Sequence, residues 1–463
     1  MKNKLPMLFF VVTFFVLSGV PASAVVNDTV KVGLRYGSSA MTSANLENVD
    51  GGGYEFGYYD ESRSFVVLGQ TGVTAITMSP SGRSVVTVNR TGTQETLFEY
   101  NTGSYPLGVR PRSRETWFRG YKYAGGFEYV PTGSGGLKVI NVVNLEDYVK
   151  GVVPYEMPGD WPLAALEAQA VCARTYVLGH SKHLRDEGFD VCNGVDCQVY
   201  NGRGTGTNGP TGASDQAADN TAGQCIYYNG VLIQDPVYHS SNGGATEDGK
   251  TVWGTETGYL KGKLDPYEAL TSVPNNSYTV TYTSEELSWI LDQKGYGVGT
   301  VQDVCISEYT PFGNVAKVTF TGTGGSKTVS GETCRTIFYS STYKKSVTSQ
   351  RFDINGSRAA SGVSVNGAGR LSSLDGAFAI SGNGAVSTVT GNTASAITPS
   401  GIIAVSGGGQ AVSGSGDNGV FVITGSGNGH NVGLSQYGAK ARAEQGYGYR
   451  DILGFYYTDI TIG

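Results

Sequence analysis

The sequence predicts an α+β fold rich in strands, with one prominent helix after a candidate catalytic loop, a β-rich N-terminal unit and a Gly/Ser-rich β-repeat insertion. Three observations carry that expectation. Gly supplies 69 of 463 residues and charged residues only 16%, a balance that favours turns and short strands over long solvated helices. Short alternating apolar runs broken by Gly, Thr and Ser recur from Val30 to about Leu137, the signature of half-buried strands. Residues 163–184 hold no Gly except Gly179 and place Leu163, Leu166, Ala170, Ala173 and Val177 at three- and four-residue spacing, so this stripe is the expected core face of a helix. A chain of this length divides into roughly two or three folded units.

The N-terminus reads as a targeting segment. Lys2 and Lys4 precede an almost wholly apolar run, Leu5 to Val20, and Ala22-Ser23-Ala24 fits a small-residue cleavage site, as in a secretory leader over residues 1–24. The run is short for a spanning helix; an uncleaved membrane anchor is the alternative. Either places the protein outside the cytoplasmic membrane, secreted or in the cell envelope. A net charge of −6 gives no electrostatic footprint for nucleic acid, whereas 29 Tyr offer flat amphipathic surfaces suited to sugar rings. The six cysteines (172, 192, 197, 225, 305 and 334) form an even set that allows up to three disulfides in any of 15 pairings. Cys172, among small apolar residues, also fits a buried thiol.

Along the chain, residues 25–117 read as the β-rich unit, with strands at Val30–Leu34 and Phe65–Leu68. Another strand is expected at Leu137–Val143, then a short helical or turn element over 144–151. Pro154 and Pro158 bracket Glu156, which predicts a fixed loop before a helix that Asp160 or Trp161 caps and Pro162 opens. Leu287, Ile290 and Leu291 mark a second helix near Ser284–Gln293. Residues 356–417 hold no Tyr, Trp or Cys. Their apolar pairs ending in Gly-x-Gly, at 379–384 and 404–409 with a further copy at 422–427, suggest stacked β-hairpins; a flexible tether is the alternative.

Three clusters could carry chemistry. Glu156 is the first: a helix N-terminus beside it would favour the carboxylate, while Trp161, Met157 and Tyr155 would favour the protonated acid. Helix capping is its bland role. Residues 238–247, with His239, Ser240, Ser241 and a Gly pair, form the second, followed by Trp253, which could stack on a sugar. The third is the Gly-rich loop 427–433, in which Gly neighbours leave His430 open to solvent or ligand, running into a helix from about Ser435 to Glu444.

Taken in order, these segments resemble a known family. Leu145-Glu146-Asp147-Tyr148, Gly151 to Pro158, Trp161-Pro162 and Ala168 to Tyr176 resemble the opening motif of the stage II sporulation protein D group, SpoIID/LytB. Cys197-Gln198-Val199-Tyr200, His239-Ser240-Ser241-x-Gly243-Gly244, Val252-Trp253-Gly254 and Gly429-His430-x-Val432-Gly433-x-Ser435-Gln436-Tyr437-Gly438-Ala439 resemble the rest. The likeness covers roughly residues 118–350 and 420–463, which yields SpoIID-like parts at 118–355 and 418–463 around the 356–417 insertion. Tyr155 stands where Ser is usual, Asn428 and Asn431 where Trp and Gly are common, and Leu434 where Met is.

The resemblance implies a peptidoglycan lytic transglycosylase acting on peptide-stripped glycan strands, with Glu156 as acid and base and no catalytic cofactor. It implies cleft or substrate-binding positions at Gln169, Arg174, Tyr176, His239, Ser240, Ser241, Trp253, His430, Ser435, Gln436 and Tyr437. Glu167, Glu247 and Asp248 are the carboxylates to exclude as partners, since a hydrolase would normally need a second one. The resemblance also implies a structural zinc held by Cys192 and Cys197 with His183, or His180, completing the set; a Cys192–Cys197 disulfide is the alternative. Two other readings remain: a non-catalytic glycan-binding enhancer of a cell-wall amidase, and a surface structural protein.

Overall fold

The computed structural model describes residues 28–92, 94–180, 182–206, 209–355 and 419–463, with the backbone of six short strands between 363 and 406. The expected leader, 1–24, and the Gly-containing ends of the 379–384 and 404–409 repeats lie outside the described residues. The fold is α+β and strand-rich, as the composition predicts. No described helix is long and apolar enough to cross a membrane.

Two sheets, antiparallel except for the parallel edge strand Val191–Cys192, bury their inner faces in one core. A seven-stranded sheet runs Val191–Cys192, Thr29–Arg35, Leu137–Asn144, Gly126–Pro131, Leu107–Pro111, Tyr54–Tyr59, Phe65–Thr71. A six-stranded sheet runs Tyr121–Ala124, Glu115–Phe118, Ala44–Glu47, Ala75–Ser81, Ser84–Asn89, Thr96–Asn101. Strand Thr29–Arg35 pairs with Leu137–Asn144, so the first sheet crosses residue 117, where the sequence suggested a boundary. The same core takes in both long helices and continues to Tyr457.

Helix α1 spans Leu145–Glu156, longer than the expected 144–151 element. Asn144 caps it by accepting from the Glu146 N–H at 2.9 Å, and Glu146 and Asp147 lie in the first turn, where the helix dipole favours them. Tyr148, Val149, Val152 and Val153 give it a buried face. Pro154 was expected to hold a loop; it lies in the last turn, where a missing N–H forfeits a single helical bond. Gly151 is required by packing, because a Cβ there would meet the Tyr200 ring at 2.5 Å.

Helix α2 spans Leu163–Gly179, with Pro162 rather than Asp160 or Trp161 at its N-cap, and it stops short of Leu184. It does not bury a single stripe. Ala165, Ala168, Val171 and Cys172 are buried along with Leu166, Ala170 and Ala173, because α1 and the helices Gly212–Asn220, Gln436–Glu444 and Tyr449–Tyr456 surround it. Small residues permit that close approach.

A second core forms from strands Ser277–Thr283, Val301–Tyr309, Val315–Gly322, Phe352–Ile354 and Val420–Ser426 with the helix Ser284–Gln293. That helix has the expected bounds and a Thr283/Glu286 capping box. Between Phe352–Ile354 and Val420–Ser426, which pair antiparallel, three two-stranded hairpins join Val363–Val365 to Gly369–Leu371, Phe378–Ile380 to Val386–Thr388, and Thr393–Thr398 to Gly401–Ser406. All six cysteines are free thiols.

Candidate active site

Glu156 is the last residue of α1, not a loop residue ahead of a helix. Its carboxyl opens on a cleft of about 380 Å³ that Tyr176, Cys197, Tyr238, His239, His430 and Gln436 also line. The Val199 N–H donates to Oε1 at 2.9 Å, and the Tyr238 phenol and Gln436 amide are further donors. Burial pushes the Glu156 pKa above the ordinary carboxyl value, and the three donors offset only part of that shift. The helix dipole acts oppositely to the sequence expectation, since a helix C-terminus disfavours a carboxylate.

Two parallel two-residue strands, Tyr238–His239 and Leu434–Ser435, bring the second and third clusters together. The close approach needs Gly429, whose φ is +132° and whose Cβ would meet the His239 Cβ at 2.5 Å. His239 and His430 pack edge to face, 5.2 Å between centroids. His430 is not open as its Gly neighbours suggested: Nδ1 accepts from the Val432 N–H at 3.1 Å and Nε2 donates to the Tyr238 carbonyl at 3.1 Å. Burial lowers its pKa to about 4. A ring with both nitrogens engaged and no charge orients neighbours and does not transfer protons. His239 Nδ1 faces the Val432 carbonyl at 3.1 Å, which leaves Nε2 a buried acceptor without a partner among the described residues; burial holds this ring neutral too.

The remaining expected residues divide between rim and support. Ser240 and Tyr176 line the cleft. Trp253, 39% exposed, packs 5.0 Å from His430 at the rim and donates from Nε1 to Glu332 at 3.0 Å. Tyr437 packs on Trp161 and donates its N–H to the Ser240 carbonyl. Gln169 is buried behind the cleft, accepting from Gln436 at 3.3 Å. Arg174 is fully buried and does not reach the cleft, because Glu146 takes its Nε and Nη2 at 2.8 and 2.6 Å and backbone carbonyls take the rest. Ser241 and Ser435 are likewise internal: both donate to Glu268, and Ser435 caps the helix Gln436–Glu444.

Glu268 is a positioning residue that no motif disclosed. Only 2% exposed, it accepts from the hydroxyls of Ser241 and Ser435 and the N–H groups of Asn242 and Gly243, tying the two clusters that carry His239 and Gln436. Tyr238 and Gln198 lie in the motifs without a predicted role; the one Tyr238 hydroxyl hydrogen has two acceptors in reach, Gln198 Oε1 at 3.1 Å and the Glu156 carboxyl. Glu167 accepts from Asn220, Glu247 is held by Asn314, and Asp248 caps the helix Gly249–Trp253, so none of these carboxylates faces the cleft. Among the described residues lining it, the other carboxylate is Asp196, engaged by Lys182 and His183.

Next to the cleft, His183, Cys192, Asp196 and Cys197 bring one ligand atom each within 4.8 Å of one another. Cys197 Sγ lies 3.4 Å from His183 Nε2. A bond from the Cys197 thiol lowers the Cys192 pKa to about 5, while the same pairing pushes Cys197 up. Two sulfurs, an imidazole and a carboxylate around one point form a donor set that suits zinc. His180, the other candidate, stacks on Tyr176 instead.

The family described as "Stage II sporulation protein" (SpoIID) matches residues 133–228, from the strand preceding α1 through both helices. The chain is 30% identical over 343 residues to the "Amidase enhancer" of Bacillus subtilis (strain 168), which covers 68% of this chain and 40% of that protein. It is 30% identical over 204 residues to the "Stage II sporulation protein D" of the same organism, 42% and 57% of the two chains, and 26% identical over 331 residues to that of Bacillus amyloliquefaciens, 69% and 74%. The chain thus spans 40% and 57% of the two Bacillus subtilis relatives. Residues 133–228, with α1 and its closing Glu156, thus form a SpoIID-family segment.

Proposed function

We propose that this protein is a cell-wall lytic transglycosylase that cleaves the MurNAc–GlcNAc bond of peptide-stripped glycan strands and leaves 1,6-anhydro-MurNAc ends. The observation that carries the reading is a half-buried carboxyl with a raised pKa at a cleft where, among the described residues, the other carboxylate in the lining, Asp196, is engaged by Lys182 and His183. Protonated Glu156 donates to the glycosidic oxygen as the C1–O bond breaks. The resulting carboxylate, held by the Val199 N–H, takes the proton of the MurNAc 6-hydroxyl, whose oxygen closes on C1. No water is consumed, so no second carboxylate is needed to activate one. Trp253 offers a ring at the rim on which a sugar can stack. His183, Cys192, Asp196 and Cys197 would hold a structural zinc that braces the loop before Val199; catalysis does not pass through it. The leader expected at 1–24 accords with action outside the cytoplasmic membrane.

Digestion of stripped strands by the wild type should release anhydro ends, and Glu156→Gln should cut the rate by about 10²-fold or more while the fold is kept. Undiminished cleavage by Glu156→Gln would sink the assignment of that residue. The relative named as an amidase enhancer favours a second reading, a glycan-binding protein that enhances an amidase. It wins if the wild type binds strands, yields no new ends and raises the turnover of an added cell-wall amidase.

A further inference from the structure

The outer face of the six-stranded sheet holds a pocket of about 280 Å³ that the Glu156 cleft does not use. Strand Ala44–Glu47 buries alternate residues and turns Asn45 and Glu47 outward. Trp117 lies opposite Glu47 on the neighbouring strand. Arg90 stands 3.6 Å from the Glu47 carboxylate, with both side chains about half exposed, a contact too loose to fix either. Arg119 sits at the tip of the Trp117 hairpin in the left-handed region, φ +52°. Lys122 Nζ lies 5.4 Å from the indole centroid, and Gly206 lies near the edge of the ring.

A half-buried indole flanked by an amide, a carboxylate and two guanidinium groups matches one ligand chemistry. The ring accepts the C–H face of a pyranose, the amide and carboxylate pair with hydroxyls, and a guanidinium takes a carboxylate by two parallel bonds. On a chain of net charge −6, a pocket with Arg90, Arg119 and neighbouring Lys122 favours an anionic sugar.

The pocket is also stitched to the catalytic side. The Lys122 N–H donates to the Gly204 carbonyl at 2.8 Å, and the Arg203 N–H to the Lys122 carbonyl at 2.7 Å. The chain runs from Val199, which binds Glu156, to Gly206 beside Trp117. Seven residues span at most about 25 Å, a distance one glycan strand bridges.

We propose that this pocket is a second subsite for the glycan strand that Glu156 cuts, with Trp117 stacked on one sugar and Arg90 and Arg119 on the lactyl carboxylate of a muramyl residue. This rests on the glycan-cleaving reading above. The test measures binding of stripped peptidoglycan strands to Glu156→Gln protein, alone and with Trp117→Ala or Arg119→Asn added. Asn tolerates the left-handed turn, so the Arg119 variant keeps the fold even where loss of the half-buried indole does not. Each added change should weaken strand binding about tenfold and leave a single disaccharide unit unaffected. Arg119→Asn should not weaken binding of neutral chitin oligosaccharides, which lack the carboxylate. Strand binding that survives both changes overturns the subsite and leaves the cleft assignment standing. If Glu156→Gln protein binds no glycan at all, the glycan reading falls and the subsite with it.

Discussion

Glu156 sits where burial and the C-terminal end of α1 both oppose its charge, and three donors favour it. The net rise fixes the sign of two pH effects. A general acid must be protonated in the free enzyme, so cleavage should hold on the acid side and fall as pH rises through the raised Glu156 value. His239 and His430 are held neutral by burial, His430 down to about 4, so neither should add an inflection between about pH 5 and 8. A rate profile over that range should show one descending limb, which Glu156→Gln removes. The linkage has the same sign: the folded value exceeds the unfolded one, so the contribution to stability is full below the ordinary carboxyl value and is lost as pH rises through the folded value. The residue itself was legible in the motif. Its setting was not, because Pro154 reads as a helix breaker while the Asn144 cap and four buried apolar side chains carry α1 through it. His430 misled for a related reason: Gly neighbours imply openness, but its Nε2 partner, the Tyr238 carbonyl, is 192 residues away.

At the scale of elements, the loop after strand Val191–Cys192 connects the cysteine group to the Glu156 carboxyl. That strand lies parallel to Thr29–Arg35 at the sheet edge, and seven residues after Cys192 the Val199 N–H reaches Glu156. Cys192, Cys197 and His183 were legible in the sequence, while Asp196 joins the set only through the fold, which brings its carboxylate within 4.8 Å of the other ligand atoms. Metal analysis of purified protein should find about one zinc per chain. Chelation or Cys192→Ser should remove it and lower the melting temperature by several degrees or more, because binding energy at such a site is folding energy. Metal-free protein with an unchanged melting temperature would refute a structural zinc. The α2 stripe illustrates the opposite failure, in which periodicity found the helix but not its environment. Ala165, Ala168 and Cys172 carry no polar warning, so nothing local distinguished a helix buried on all sides from an amphipathic one.

For the whole molecule, the two cores show which long-range features escape a linear reading. Strand alternation disclosed the β-rich character of residues 25–117, but pairing of Thr29–Arg35 with Leu137–Asn144 depends on partners a hundred residues apart. The hairpins at 363–406 leave from one antiparallel pair, since the Asn355 N–H donates to the Val422 carbonyl at 2.7 Å. Replacing 357–418 by a tight turn should therefore preserve the fold and strand cleavage. Shortening a connection of about 60 residues to about 4 even favours folding by about 2 kcal/mol of loop-closure entropy. A fall in melting temperature of more than about 5 °C would show instead that the hairpins brace the second core. The bond between Gln436 and Gln169 closes the cleft across 267 residues of chain. A polypeptide still being made holds Glu156 long before it holds Gln436 and His430, and contacts of such separation form late. The cleft thereby cannot assemble until residues 430–436 have been made, so the order of residues along the chain acts as a timer on the proposed activity.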